Sequence, residues 1–181
     1  MKSILLSLIL VISLTACSSV FLPNEIAESE NDMFGRLYNT DKQQANDQLQ
    51  QIIQIAEARN TDAMRKLFSV DTIDSVEDIN AQIQAFFEFY EGSVVSCTSS
   101  GPGSRAERNN NTYYKEIFTT YDVSTTAGNY RIAFLFCTID SENAENIGIK
   151  SIYIIRAENS DMNYAYWGDK KWMPGITIQG E

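Results

Sequence analysis

The chain has 181 residues, with 14 Lys and Arg against 24 Asp and Glu, for a formal net charge of -10. This length suffices for one domain with a sizeable core. The acidity argues against nucleic acid as a partner, because phosphate binding needs clustered Lys and Arg. The chain contains no histidine, which excludes His-dependent catalytic triads and His-ligated metal sites.

Residues 1–16 have the pattern of a secretory signal peptide, with Lys2 before an apolar run at residues 4–14 that is too short to span a membrane comfortably. The run ends in Leu-Thr-Ala-Cys at residues 14–17, which resembles the bacterial lipobox. The resemblance implies cleavage after Ala16 and a diacylglycerol on the Cys17 sulfur. The alternative is an ordinary secretory signal in which Cys17 is incidental.

A lipid on Cys17 would hold the mature chain outside the cytoplasm, anchored to the cell membrane without crossing it. Residues 17–31 contain Pro23 and several Ser and Glu and offer little to bury. We therefore predict a flexible tether over residues 17–31 and a single domain over residues 32–181.

Helical patterns fill the first half of this domain. Thr40 and Gln43 have the spacing of a capping box, which predicts a helix beginning at Thr40. Asn60 or Thr61 would cap a second, short helix, and Ser75 would open a third that ends at Gly92. Apolar residues recur at helical spacing in the first and third helices, at Ala45, Leu49, Ile52, Ile53 and Ala56 and at Val76, Ile79, Ile83, Phe86, Phe87 and Tyr90.

Two strands form the centre of the second half. Residues 129–139 are apolar at both alternating sets of positions, and residues 147–156 are similarly rich in isoleucine. An acidic turn at residues 140–146 separates them. Because the first strand has no polar face, it must be covered on both sides.

Further strands surround this pair. Residues 94–97 and 112–124 have strand patterns, and residues 99–104 would be a turn or a kinked edge. Residues 163–178 suggest a final hairpin or wide turn around Gly168 and Asp169. Helices followed by strands joined through short turns predict an α+β fold, with N-terminal helices packed on a curved antiparallel meander sheet.

This order of elements, with the run at residues 58–68, resembles the nuclear-transport-factor-two-like superfamily of cone-shaped α+β domains. Residues 32–38, 101–103, 138–140, 146–149 and 166–175 also resemble a group of uncharacterised Gram-positive lipoproteins that carry such a domain. The resemblance covers residues 32–178. It implies a fold and a location in the cell, and it assigns no activity.

Aromatic residues are concentrated in the predicted sheet and in the helix before it. A curved sheet could direct some of them into an apolar pocket, although ordinary core and cross-strand packing would explain them equally. The candidate pocket residues are Phe86, Tyr90, Tyr114, Phe118, Phe134, Phe136 and Tyr153.

Asp122 and Asp140 are the carboxylates that an enzyme of this fold would use, since a buried Asp with a raised pKa can act as a general acid or base. Both lie near predicted strand ends, where solvated or turn-capping carboxylates are the alternative. Asp140, Glu142 and Glu145 offer calcium-type ligands, but their spacing does not match an EF-hand loop. We expect no metal and no cofactor.

Cys97 and Cys137 are the cysteines left after Cys17. Outside the cytoplasm, two remaining thiols are a candidate disulfide. The alternative is that each cysteine is a small core residue.

Together these patterns indicate a membrane-anchored lipoprotein that acts as a non-catalytic binding or accessory module. Its ligand would be a small apolar or amphipathic molecule in the pocket, or an envelope protein on the sheet. A homodimer through the sheet is a further prediction, and it requires an exposed apolar sheet face. The alternative function is a small isomerase-like or hydrolase-like enzyme that uses a buried carboxylate.

Overall fold

The computed structural model describes residues 33–160 and 172–179 and is an α+β structure in which helices precede strands, as predicted. The helices are α1 (Met33–Glu57), α2 (Thr61–Leu67), α3 (Val70–Ser75) and α4 (Ile79–Phe89). The strands are β1 (Val94–Ser99), β2 (Gly103–Asn109), β3 (Thr112–Thr125), β4 (Asn129–Asp140), β5 (Gly148–Arg156) and β6 (Gly175–Gln179).

The longest helix, α1, begins earlier than the capping pattern predicts. Thr40 lies inside the helix, because residues 33–39 are already helical. The predicted capping box is therefore wrong. The preference of Thr40 for a helix N-terminus is overridden because the residues before it belong to the same helix. The predicted apolar stripe is confirmed, since its five members Ala45, Leu49, Ile52, Ile53 and Ala56 are all buried.

Side-chain caps set the starts of the later helices. Asn60 accepts a hydrogen bond from the Ala63 N–H at 3.0 Å and caps the start of α2. Asn60 was one of the two predicted caps. The predicted third helix does not begin at Ser75, and a short helix that was not predicted, α3, precedes it. Ser75 ends α3, and Asp78 begins α4 by accepting from the Ala81 N–H at 2.9 Å.

The strands form one six-stranded sheet in the order β1-β3-β4-β5-β6, and β2 also pairs with β3. β1 pairs with residues 121–125 of β3 and β2 with residues 112–118, so the two short strands follow one another along the same edge. This confirms the kinked edge that was one prediction for residues 99–104. Asn110, with φ of 52°, helps to form the two-residue turn between β2 and β3.

The last strand corrects the predicted antiparallel meander. β6 pairs with β5 in parallel, whereas the other strand pairs are antiparallel. A parallel partner requires a crossover of about a dozen residues, and the chain between Arg156 and Gly175 is long enough for one. The hairpin predicted around Gly168 and Asp169 falls outside the described residues.

The prediction that β4 is covered on both faces is confirmed. Tyr130, Ile132, Phe134 and Phe136 lie in the core between the sheet and the helices. On the opposite face, Ala133 packs in a second buried cluster with Tyr153 and Ile155, against which Trp172 also packs. The homodimer through the sheet stays a prediction.

Within the described residues, no helix is long and apolar enough to cross a membrane. The predicted signal peptide at residues 1–16, the lipidation site Cys17 and the tether at residues 17–31 lie outside the part of the chain that the structure describes.

Candidate functional site

A groove of about 310 Å³ lies between one flank of α1 and the adjoining ends of β4 and β5. The groove is shallow and largely open to solvent. Helix α1 contributes polar side chains, and the strand ends contribute mainly apolar ones. The lining residues are Gln44, Asp47, Gln48, Gln51, Phe136, Cys137, Thr138, Ile147 and Gly148.

Helical periodicity explains the polar wall of the groove. Gln44, Gln48 and Gln51 are spaced three or four residues apart, so they form one row beside the buried stripe of α1. A hydrophobic stripe with a polar flank is the ordinary pattern of a surface helix. Here the flank faces the end of the sheet and closes one side of the groove.

Gly148 makes the opposite wall possible. Its φ is +130°, and an added Cβ would lie 2.7 Å from the backbone nitrogen of Ser69. This close approach allows the Ser69 N–H to donate to the Ile149 carbonyl at 3.0 Å. Glycine is therefore needed where the segment between α2 and α3 closes against the first residues of β5.

Within the groove, the side-chain nitrogen of Gln48 is buried, and no described residue accepts a hydrogen bond from it. A buried amide donor without a partner costs free energy, roughly 1–3 kcal/mol. Phe136 is buried at the groove wall, whereas Ile147 at the rim is 45% exposed. No Lys or Arg lines the groove. Asp47 adds a carboxylate to the lining, so these features suit a ligand that is not anionic and that has a hydrogen-bond acceptor and an apolar part.

A buried ion pair holds α1 on the sheet near the groove. Lys115 of β3 donates to Asp41 of α1, and both side chains are largely buried. Removing one partner would leave the other charge buried and unpaired, which is strongly destabilising. Sequence reasoning missed this pair because the two residues are far apart in the chain and neither belongs to a local motif.

A second, smaller cavity of about 170 Å³ lies where the β2–β3 hairpin meets the end of β4. Its lining is acidic and aromatic, consisting of Glu107, Asn109, Thr112, Tyr113, Tyr114, Asp140 and Glu142. The register of the sheet explains the location, since Tyr114 pairs with Asp140 and Glu107 pairs with Tyr114. This cavity and the groove adjoin the same end of β4.

Asp140 accepts three hydrogen bonds at this end. The Asn146 side-chain nitrogen lies at 2.9 Å, and the backbone N–H groups of Asn143 and Glu142 lie at 3.0 Å. Hydrogen bonds to the charged form, first that from Asn146, hold the pKa of Asp140 below its ordinary value. A carboxylate that stays ionised in this way is unsuited to proton transfer near neutral pH.

Asp122 is no better placed as a general base. Its side chain is exposed and forms an ion pair with Arg131, at 2.8 Å from the Arg131 Nε. Of the two carboxylates considered for catalysis, Asp122 therefore forms a surface ion pair and Asp140 caps a turn. A third carboxylate, that of Asp41, is buried and forms an ion pair with Lys115.

A polar network lies on the sheet face away from the helices. Tyr114 donates to Glu116, and the Lys150 ammonium lies 3.2 Å from the Tyr114 hydroxyl and 3.8 Å from the Glu116 carboxylate. Burial and the neighbouring Glu116 raise the pKa of Tyr114 well above its ordinary value. Tyr114 is consequently neutral at physiological pH and acts as a hydrogen-bond donor.

The seven candidate pocket residues do not form one pocket. Phe86, Tyr90 and Phe134 are part of the helix-side core, where the Phe86 and Tyr90 rings stack with centroids 6.1 Å apart. Phe136 lines the groove and Tyr114 lines the smaller cavity.

The other two candidate pocket residues have structural contacts. Phe118 lies over Gly103 of the neighbouring strand, with a ring carbon 2.3 Å from where a glycine-to-alanine Cβ would stand. Tyr153 is buried on the opposite sheet face, and its hydroxyl accepts from the Met173 N–H at 2.6 Å. Phe118 and Tyr153 therefore have packing roles, which was the alternative to lining a pocket.

The candidate disulfide between Cys97 and Cys137 is not formed. Cys97 pairs with Val123, which faces Tyr130 on β4, and Cys137 lies seven residues further along β4. At about 3.3 Å per residue, this places the two cysteines roughly 23 Å apart along the sheet, whereas a disulfide needs Cα atoms within about 7 Å. Burial raises the pKa of the Cys137 thiol, which lowers the fraction of the reactive thiolate.

Residues 33–160 and 172–179 contain no group of three or more Cys, Asp or Glu side chains arranged to hold a metal ion. A family described as a domain of unknown function (DUF5104) matches residues 51–157, which is more than half of the chain. No curated protein matches the chain.

Proposed function

The chain belongs to the DUF5104 family of domains of unknown function, and from that premise we propose that it is a membrane-anchored extracytoplasmic lipoprotein with a non-catalytic ligand-binding domain. The groove beside α1 is the proposed binding site. The observation that carries the proposal is the buried Gln48 amide, which has a hydrogen to donate and no described acceptor.

The proposed anchor rests on the Leu-Thr-Ala-Cys pattern at residues 14–17. One acyl chain binds a bilayer only marginally, and each buried methylene adds about 0.8 kcal/mol, so the diacylglycerol on Cys17 gives a durable anchor. Residues 17–31 then serve as the tether, and residues 32–181 form the domain. A Cys17→Ser variant lacks the sulfur that would carry the lipid, so it is the control that distinguishes membrane anchoring from secretion.

The proposed cone is of the nuclear-transport-factor-two-like type. Three features support it: a long helix lying against the sheet, the order of helices before strands, and register shifts in the sheet. The shifts occur near Ser96, Glu116 and Phe136, and bulges of this kind curve a sheet. In such a cone the groove opens at one end of the curved sheet.

The proposed ligand is a small amphipathic molecule with a carbonyl or hydroxyl oxygen. That oxygen would accept from the Gln48 amide, while an adjacent apolar group would pack on Phe136 and Ile147. A catalytic role receives no support from Asp122 or Asp140, for the reasons given above. The proposal is therefore binding without chemistry.

Native mass spectrometry of the full lipidated protein, extracted in a nonionic detergent, tests the groove. We expect a bound small molecule that dissociates on denaturation. Gln48→Leu removes the amide while keeping a similar volume, and it should abolish the adduct. Gln50→Leu is the matched control, since Gln50 lies on the opposite side of α1. A bare polypeptide mass in the wild type, or equal loss in both variants, would contradict the proposal.

A further inference from the structure

Strand β2 lies along one edge of the sheet, and its outer side is open. Of the strands that the structure describes, β3 alone pairs with it. All residues of β2 from Ser104 to Asn109 are exposed. The outer N–H and C=O groups of such a strand can pair with a strand of another chain.

The hairpin determines which backbone groups of β2 face outward. Because its turn has two residues, Asn109 and Thr112 are a hydrogen-bonded pair, and every second residue before Asn109 also bonds to β3. The Tyr113 carbonyl agrees with this alternation, since it points to the β4 side of β3 and accepts from the Ser141 N–H at 3.0 Å. The residues of β2 whose N–H and C=O groups face outward are therefore Ser104, Ala106 and Arg108.

Few of the features that usually prevent edge pairing occur in β2. Its sequence, Gly-Ser-Arg-Ala-Glu-Arg-Asn, has no proline and no lysine. Its pairing with β3 is in continuous register, whereas register shifts interrupt three other strand pairings. The strand does carry charges, but Arg105 and Glu107 have opposite signs and form an exposed ion pair on one face. Opposite charges two residues apart can match those of a second copy.

Antiparallel pairing of β2 with a second β2 has one favourable register. Outward-facing residues must pair with each other, so near the strand centre the two-fold axis lies at Arg105, Ala106 or Glu107. An axis at Arg105 or Glu107 places like charges opposite each other, which is destabilising. An axis at Ala106 instead pairs all 7 residues of the strand and places Arg105 of each copy opposite Glu107 of the other.

We propose that a second copy of this chain pairs with β2 edge to edge, antiparallel and with the two-fold axis at Ala106. The pairing joins two sheets into one continuous sheet, and Arg105 and Glu107 of the two copies form four neighbouring charges of alternating sign. The strand edge makes this contact, so it needs no exposed apolar sheet face. The proposal rests on neither the groove nor its ligand.

Native mass spectrometry of the full protein in a nonionic detergent tests the pairing. We expect a dimer whose fraction rises with protein concentration. Ala106→Pro removes the central outward N–H and no hydrogen bond to β3, because proline is tolerated on the open side of an edge strand. It should weaken dimerisation about tenfold or more, with an unchanged circular dichroism spectrum. A wild type that stays monomeric up to millimolar concentration, or a dimer that Ala106→Pro leaves unchanged, would overturn the proposal.

Charge reversal tests the register. Arg105→Glu places glutamates opposite each other and Glu107→Arg places arginines opposite each other, so each variant alone should be monomeric. An equal mixture of the two variants should form a heterodimer, because every facing pair then has opposite signs. Both variants lack the ion pair within the strand, so that pair does not account for the recovery. A mixture that stays monomeric would contradict the proposed register.

Lys66→Glu is the matched control for total charge. It makes the same change in charge as Arg105→Glu at an exposed position of α2, and it should dimerise like the wild type. Loss of the dimer in Lys66→Glu would show that total charge, rather than the facing pairs of β2, governs association, and the proposal would be wrong.

Discussion

At the scale of single residues, local hydrogen bonding decides what the acidic side chains do. Asp140 was a candidate catalyst in the sequence, and in the structure it caps the turn after β4. A sequence shows that an Asp follows a strand, but it does not show which N–H groups point at the carboxylate. The nearest sequence signal was the cluster of Asn and Glu after Asp140, which is typical of a turn.

Asp140→Asn should destabilise the protein at neutral pH, because it removes the charge that these hydrogen bonds favour. The pKa of Asp140 is lower in the folded state, so its stabilisation is present above the unfolded pKa and is lost as the pH falls through the folded value. The difference in urea midpoint between wild type and variant should therefore shrink below about pH 4. Glu142→Gln is the control. A difference that is the same at pH 7 and pH 3 would be inconsistent with this account.

At the scale of elements, periodicity located α1, α2 and α4 but not the short helix α3, and capping patterns located the helix ends less well. The buried stripe of α1 agrees with the predicted one, yet the helix begins well before Thr40. Several Ser, Thr, Asp and Asn residues near each helix start could serve as its N-cap. The packing of the whole helix determines which of them does. Hence Asp78 rather than Ser75 begins α4.

Asp78→Ala should lower the free energy of unfolding by about 1 kcal/mol, since it removes the side-chain acceptor for the Ala81 N–H at the start of α4. Chemical denaturation followed by circular dichroism measures this loss. Asp74→Ala removes the same charge from an exposed position inside α3 and should have little effect. Equal losses in the two variants would indicate that charge, rather than capping, is responsible.

At the scale of the whole molecule, β4 is the strand on which both layers pack. Its even-numbered apolar residues from Tyr130 to Phe136 face the helices. Ala133 and Leu135 are buried on the other face, where Ala133 packs with Tyr153. A sheet with one solvated face would leave one of these sets exposed.

Leu135→Ala tests this two-sided cover. Leu135 is 7% exposed, so its truncation should cost about 2–5 kcal/mol, as for other buried leucines. Ile139→Ala, at an exposed position on the same strand, should cost much less. Thermal unfolding measures both. A neutral Leu135→Ala would mean that the face away from the helices is not packed.

The sequence by itself determined the α+β class, the buried stripe of α1 and the doubly buried β4, because these follow from the spacing of apolar residues along one segment. It also carried the lipobox pattern on which the proposed anchor rests. Only the tertiary structure decided the parallel β6, the separation of Cys97 from Cys137 and the division of the candidate aromatics among core, groove and cavity. These depend on register and on contacts between distant segments, such as that of Lys115 with Asp41, and local periodicity contains no information about which distant segments meet.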